Sequence, residues 1–147
     1  MVFEMVENIT SKEAFLMLKR EADSSLIDVR TEKEILTVGA PNLESIGKNV
    51  SFIEWTQSFF SNTRLTFLKK FRTKFNIEKK GIFVFICKSG IRSNFAALTV
   101  EESIKNVNDN IRFFNVIDGF EGNPDSRELD GGRNGWKFLG MPWKTMN

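Results

Sequence analysis

Residues 82–93 read Ile-Phe-Val-Phe-Ile-Cys-Lys-Ser-Gly-Ile-Arg-Ser, and this stretch decides the fold. Its first part, Ile82 to Ile86, is the most apolar run of the chain. Because the run is continuous rather than alternating, it predicts a central strand that is covered on both faces. A polar turn from Cys87 to Ser93 follows, so the only cysteine lies at a strand-to-helix turn. Residues at helical spacing predict a helix from Ser93 onward: Ala96, Ala97, Val100 and Ile104.

Two capping-box patterns predict helices before the central strand. Thr10 to Glu13 reads Thr-Ser-Lys-Glu and predicts a helix from about Ser11 to Ala22. Thr31 to Glu34 reads Thr-Glu-Lys-Glu and predicts a brief helical turn that ends near Gly39 and Pro41. Two short apolar runs predict strands: residues 26–29 and 50–53.

A basic amphipathic helix is predicted over Arg64 to Lys74. Lysines and arginines alternate there with apolar residues at helical spacing, namely Leu65, Leu68, Phe71 and Phe75. The apolar face should pack on a sheet. The basic face is either solvated, which we favour, or a docking surface for an acidic partner.

The last third of the chain predicts one more strand and a glycine-rich segment. Phe113 to Ile117 is the apolar run, and glycines recur from Gly119 to Gly135. Residues 136–139 predict a last turn of helix, which Gly140 and Pro142 close. Strands that alternate with helices predict a single α/β domain over residues 1–147, with a largely parallel central sheet.

The composition excludes several kinds of site. With one cysteine and no histidine, the chain forms no intrachain disulfide, Cys-x-x-Cys pair or multi-cysteine zinc site. Ser-His and Cys-His catalysis are excluded as well. We therefore expect neither a bound metal nor a cofactor.

Charge and hydropathy indicate which partners and which cellular compartment to expect. Lysine and arginine total 21 against 19 acidic residues, and this net charge of +2 is too small to indicate nucleic-acid or membrane binding. No apolar stretch reaches the roughly 18 residues of a membrane span. Met1 to Asn8 carries two glutamates and does not resemble a signal peptide. We expect a cytoplasmic protein, since a single free thiol suits a reducing compartment.

Cys87 is the candidate nucleophile. It follows the most buried predicted strand, and α/β folds bind ligands at the carboxyl ends of such strands. Backbone N–H groups of the turn and of the next helix form a nest for an anion, and Gly90 permits the curvature. Lys88 and Arg92 add positive charge, so we expect the thiol to ionise readily. The alternative is an inert core cysteine, but the polar turn favours a functional one.

Three motifs, in this order, resemble those of the rhodanese-like sulfurtransferases. They are Asp28-Val29-Arg30, the Cys-x-x-Gly-x-Arg-Ser loop of residues 87–93, and the glycine-rich segment that runs from residues 119–122 to residues 134–136. The resemblance implies a three-layer domain with a largely parallel central sheet flanked by helices. It also implies that Cys87 becomes a persulfide and that Asp28 and Arg30 brace its loop. The loop amides that would cradle the outer sulfur are those of Lys88, Ser89, Gly90, Ile91, Arg92 and Ser93.

The residues alone leave several alternatives to these roles. Asp28 would ordinarily be a capping or turn residue and Arg30 a surface charge. The tryptophans are assigned to packing or to a pocket wall: Trp55, Trp136 and Trp143.

The chain departs from the family pattern in two loops. Gly39 to Leu43 lacks the histidine of the family's Gly-His-Ile-Pro-Gly-Ala segment, and extra residues lie between Gly122 and Asn134. Residues 123–133 are either a mobile lid over the site or a plain surface excursion.

The function implied is sulfur transfer from a small anionic donor, such as thiosulfate, to a thiol, a cyanide-like acceptor or an acceptor protein. Nucleic acid and membranes are not expected partners. Two alternatives remain. A cysteine phosphatase or arsenate reductase would place arginine six positions after Cys87, where this chain has Ser93. A non-catalytic rhodanese-like module would only bind a partner or act as a sensor.

Overall fold

A computed structural model describes residues 6–56, 62–77, 80–104, 110–125 and 133–147. Within these ranges the α-helices are α1 (Ser11–Arg20), α2 (Glu32–Val38), α3 (Thr63–Lys74) and α4 (Ile91–Ile104), and a short 3-10 helix covers Glu44–Ile46. The strands are β1 (Val6–Ile9), β2 (Ser24–Asp28), β3 (Ala40–Pro41), β4 (Ser51–Phe52), β5 (Gly81–Ile86), β6 (Ile111–Val116) and β7 (Trp143–Lys144). None of these helices combines the length and the apolar character that crossing a membrane requires.

Five of the seven described strands form a parallel sheet in the order β1-β6-β5-β2-β4. The apolar run of β5 is at its centre, between β2 and β6, as the sequence predicted. The register places Asp28 beside Ile86 and Phe85 beside Asn115. Because parallel strands end at one edge, the residues after β2 and β5 and the last residues of β6 meet at the same place. A separate antiparallel pair, β3 with β7, was not predicted.

Side chains of β5 alternate between two cores, which gives the three layers. Phe83 and Phe85 pack with the aromatic rings of α3 and the small residues of α4. Val84 and Ile86 pack on the opposite face, with α1 and the buried Trp136. Each fully buried apolar side chain of this size stabilises the fold by about 1.5–3 kcal/mol. The predicted α/β domain, with helices flanking a parallel sheet, is confirmed.

Both capping boxes form as predicted. The Thr10 side chain accepts from the Glu13 N–H at 3.2 Å, and Glu13 accepts from the Thr10 N–H at 3.1 Å. Thr31 and Glu34 make the same reciprocal pair. The first box opens α1, which ends at Arg20, and the second opens α2, which ends before Gly39.

Two details of the sequence prediction were wrong. Leu65 is 63% exposed, and the buried residues of α3 are Phe67 and Phe71. Leu65 lies two positions before Phe67, about 200° around the helix, so both cannot face the sheet. Residues 136–139 form hydrogen-bonded turns rather than a helix, because the Met141 N–H donates to the Trp136 carbonyl and folds the chain back.

Candidate active site

Cys87 is the first residue of the loop that joins β5 to α4. The residue is 1% exposed, and its Sγ accepts a hydrogen bond from the Gly90 N–H at 3.1 Å. The Ser93 hydroxyl, in the first turn of α4, faces the same sulfur at 3.2 Å. The sulfur is therefore held by a loop amide and faced by a hydroxyl, both polar groups that can stabilise negative charge.

Gly90 is required by the shape of this loop. Its φ is 94°, and a Cβ at this position would collide with the Ile117 carbonyl oxygen. Only glycine combines that backbone conformation with so close an approach. The curvature that directs the Gly90 N–H at Cys87 therefore depends on the absence of a side chain.

The segment after β6 clamps the loop from outside. The Phe120 N–H donates to the Cys87 carbonyl at 2.8 Å, and the Glu121 N–H donates to the Lys88 carbonyl at 3.0 Å. Asn123 Nδ2 donates to the Ser89 carbonyl at 3.1 Å. The glycine-rich motif thus holds the loop through its backbone, a contact that its position in the sequence does not show.

Asp28 and Arg30 form a buried ion pair at the end of β2. Arg30 Nη2 lies 2.7 Å from Asp28 Oδ2 and also donates to the Gly39 carbonyl at 2.9 Å. The interpretation of Arg30 as a surface charge is wrong, because the residue is only 1% exposed. Its guanidinium lies 4.2 Å from the centre of the Phe120 ring. The ion pair therefore contacts Phe120, the residue whose N–H donates to the Cys87 carbonyl.

Arg92 is paired with Glu34, a residue that the sequence did not assign to the site. Its Nη1 and Nη2 donate to the two carboxylate oxygens at 2.7 and 2.8 Å. These hydrogen bonds lower the pKa of Glu34 to about 2 and raise the pKa of Arg92 above its ordinary value. The positive charge of Arg92 is present, as expected, but a carboxylate from α2 balances it.

Two asparagines behind the loop were also missed. Asn115 Oδ1 lies 2.6 Å from Ser93 Oγ, and Asn115 Nδ2 donates to the Gly90 carbonyl at 3.0 Å. The same Nδ2 donates to Asn8 Oδ1 in β1 at 3.1 Å. One signal was visible in the sequence, since Asn115 interrupts the apolar run of β6.

The remaining predicted site residues lie on the rim or in the core. The side chains of Lys88 and Ile91 are exposed, so the structure fixes their backbone more than their side chains. Trp55 and Trp136 are buried, whereas Trp143 is partly exposed and lies beside Lys137. Residues 126–132, most of the segment interpreted as a lid or a surface excursion, lie outside the described ranges.

Comparisons with known proteins indicate the family of the chain. Residues 11–138 match the rhodanese-like domain family. Uncharacterized protein RC0915 of Rickettsia conorii is 34% identical over 140 residues, which cover 95% of this chain and 98% of the relative.

Solved structures show the same similarity. Rv0390 from M. tuberculosis has a TM-score of 0.72 and 33% identity, over 97% of this chain and 100% of that one. A 30 kDa polysulfide-sulfur transferase homodimer from Wolinella succinogenes shares the fold, with a TM-score of 0.60 and 22% identity over 95% of this chain and 78% of that one. With the family match over residues 11–138, these similarities show that the chain belongs to the rhodanese-like domain family.

Proposed function

We propose that this protein is a sulfurtransferase of the thiosulfate sulfurtransferase type, with Cys87 as the sulfur carrier. The observation that carries the proposal is the environment of Cys87 Sγ, which the Gly90 N–H and the Ser93 hydroxyl face at 3.1 and 3.2 Å. Hydrogen bonds to an anionic sulfur are stronger than those to a neutral one. The loop therefore favours a thiolate nucleophile although no histidine is present to act as a base.

In the first step, the Cys87 thiolate attacks the outer sulfur of thiosulfate. A sulfur–sulfur bond forms on Cys87, the sulfur–sulfur bond of the donor breaks, and sulfite leaves with the electron pair. Attack by a thiolate on sulfur needs no metal or cofactor, because the leaving group is itself a stable anion. We assign the cradle for the transferred sulfur to the loop amides from Lys88 to Ser93, of which the Gly90 N–H donates to Cys87 Sγ at 3.1 Å.

In the second step, a nucleophilic acceptor attacks the outer sulfur of the persulfide. The bond between the two sulfurs breaks, the acceptor keeps the outer one, and Cys87 returns as the thiolate. Cyanide gives thiocyanate by this route, and a thiol gives a new persulfide. The proposed partners are thus a small anionic donor and a thiol, cyanide-like or protein acceptor, which we place in the cytoplasm.

The pairing of Arg92 disfavours the phosphatase or arsenate reductase alternative. A tetrahedral oxyanion is typically held by the two terminal nitrogens of an arginine. Here both nitrogens already donate to Glu34. A single sulfur atom does not require two free arginine nitrogens, so the loop suits sulfur transfer better than oxyanion binding.

Mass spectrometry of the intact protein after incubation with thiosulfate tests the proposal. We expect the mass of one sulfur atom to be added, and cyanide to remove it with release of thiocyanate. Cys87→Ser is the matched control, since serine is nearly isosteric but forms no persulfide. An unmodified parent protein, or sulfur retained by Cys87→Ser, would contradict the proposal, and the former would favour a module that only binds a partner.

A further inference from the structure

Asn115 is a polar residue in the interior of the sheet. It is 2% exposed, and its neighbours Phe114 and Val116 belong to the core on the opposite face. A buried amide is unfavourable unless hydrogen bonds satisfy it. Apart from a bond to Asn8, the side-chain hydrogen bonds of Asn115 join it to Ser93, which faces Cys87, and to Gly90 of the loop.

The orientation of the Asn115 amide follows from its partners. The Gly90 carbonyl has no hydrogen, so it must face Asn115 Nδ2, from which it lies 3.0 Å. Asn115 Oδ1 is then the atom that faces Ser93 Oγ at 2.6 Å. Because Oδ1 is also without a hydrogen, this short contact requires the Ser93 proton.

Ser93 cannot satisfy both of its neighbours at once. A serine hydroxyl has one hydrogen, yet Ser93 Oγ lies 2.6 Å from Asn115 Oδ1 and 3.2 Å from Cys87 Sγ. While Cys87 is a thiol, its own S–H can donate to Ser93 Oγ, and Ser93 can donate to Asn115. When the thiol loses its proton to a solvent base, Ser93 can stabilise the thiolate only by turning its hydrogen away from Asn115.

We propose that Asn115 is a positioning residue that controls the ionisation of Cys87 by competing with its sulfur for the Ser93 proton. Its Nδ2 meanwhile holds Gly90, whose N–H faces the sulfur. The inference rests on Cys87 being the reactive sulfur of the proposed function. It adds a second role to the loop, which must keep the free thiol stable and still accept the thiolate.

Several charged groups of the loop and of neighbouring elements are not substituted in the variants of Ser93 and Asn115. Lys88 lies in the loop, and Arg92 lies at the start of α4, where it is paired with Glu34. Asp28 and Arg30 pair at the end of β2, and Asp118, after β6, binds Ser11. A change in ionisation among those variants therefore reports the hydrogen bonds of the sulfur.

The test is a double-mutant cycle of Ser93→Ala and Asn115→Leu in protein stripped of persulfide with cyanide. The measurement is the ultraviolet absorbance of the thiolate against pH. This chain suits it, because it has one cysteine and no tyrosine whose ionisation would overlap. Ser93→Ala should raise the midpoint. Asn115→Leu should change the midpoint in both backgrounds, but the change should be further downward in the parent than in the Ser93→Ala protein. We expect the two changes to differ by roughly half to one pH unit, the range that one hydrogen bond provides.

The cycle separates this role from a structural one. Loss of the bond to the Gly90 carbonyl affects both backgrounds equally and cancels in the difference. Equal shifts in the two backgrounds, or a difference of the opposite sign, would overturn the proposal. Circular dichroism checks the fold, and Asn115→Val replaces Asn115→Leu if leucine does not fit. The readout requires no sulfur transfer, so its failure is distinct from a failure to form the persulfide.

Discussion

Arg92 and Glu34 form a bidentate ion pair that joins the loop of Cys87 to α2. The distances are 2.7 Å for Nη1 to Oε1 and 2.8 Å for Nη2 to Oε2, and both side chains are about three-quarters buried, with 26% and 23% exposed. Glu34 also completes the capping box of α2. One carboxylate thus begins a helix and balances the charge of the loop.

Glu34→Gln should improve the use of an anionic donor. Glutamine keeps the capping box and the volume of the side chain but removes a negative charge near the loop. We expect the KM for thiosulfate to fall roughly threefold, the effect of one partly screened charge. Glu32→Gln is the matched control, because Glu32 is exposed in the same helical turn. An unchanged KM in Glu34→Gln, or an equal fall in both variants, would show that the pair does not affect donor binding.

Arg92→Ala should impair donor use more than Lys88→Ala. The first substitution leaves Glu34 unpaired beside the loop, whereas the second removes a charge from an exposed side chain. We expect the KM for thiosulfate to rise about tenfold in Arg92→Ala and less than about threefold in Lys88→Ala. Steady-state thiocyanate formation measures both, and small, equal effects would mean that backbone amides alone bind the donor.

The ion pair of Glu34 and Arg92 should make the unfolding free energy depend on pH in the acid range. The hydrogen bonds and charge of Arg92, together with hydrogen bonds from Thr31, lower the pKa of Glu34 from 4.5 to about 2. A carboxylate with a lowered pKa stabilises the fold above its unfolded pKa, and the contribution is lost as the pH falls through the folded value. Parent and Glu34→Gln should differ by about 1–2 kcal/mol in unfolding free energy above about pH 5, after allowance for solvent screening.

Urea unfolding at several pH values measures this difference. It should shrink steadily from about pH 5 toward pH 2, where the carboxylate of the folded parent is itself half protonated. A difference that stays constant over that range would mean that the Arg92 contact contributes nothing to stability.

Gly90→Ala should disrupt the loop. The new methyl group would meet the Ile117 carbonyl oxygen, and the φ of 94° is itself unfavourable for alanine. We expect a loss of more than about 1 kcal/mol of stability and at least a tenfold loss of sulfur transfer. Gly140→Ala is the control, since its φ is 75° but, apart from the two adjacent residues, no atom of the described residues lies within 4 Å of the place its methyl group would take. Similar losses in both variants would indicate that the positive φ alone, and not the contact with the Ile117 carbonyl oxygen, causes the loss.

Features encoded locally were predictable from the sequence. The continuous apolar run of β5 and the two capping boxes each depend on a few adjacent residues, and the structure confirms them. The edge strand β1 was missed because two polar residues separate Val6 from Ile9, which gives neither an alternating nor a continuous pattern. Its pairing with β6 depends on residues more than a hundred positions away.

The loop of the site was predictable from the sequence, whereas most of the contacts that support the loop were not. Cys87, Gly90 and Arg92 stand out in sequence, whereas Glu34 lies 58 positions before Arg92 and looks like an ordinary helix charge. The burial of Arg30 was missed because it depends on a carbonyl at Gly39 and an aromatic ring at Phe120. Such partners are known only once the chain is folded.

The bonds from Phe120 and Glu121 to the carbonyls of Cys87 and Lys88 have a consequence for local stability. Surface loops usually open independently of the core, and their amides exchange rapidly with solvent. This loop is tied to the chain beyond β6, and Asn115 of β6 holds Gly90 from behind. The amide hydrogen of Gly90 should therefore exchange with deuterium as slowly as those of the central strands, in a unit that opens only when the sheet does.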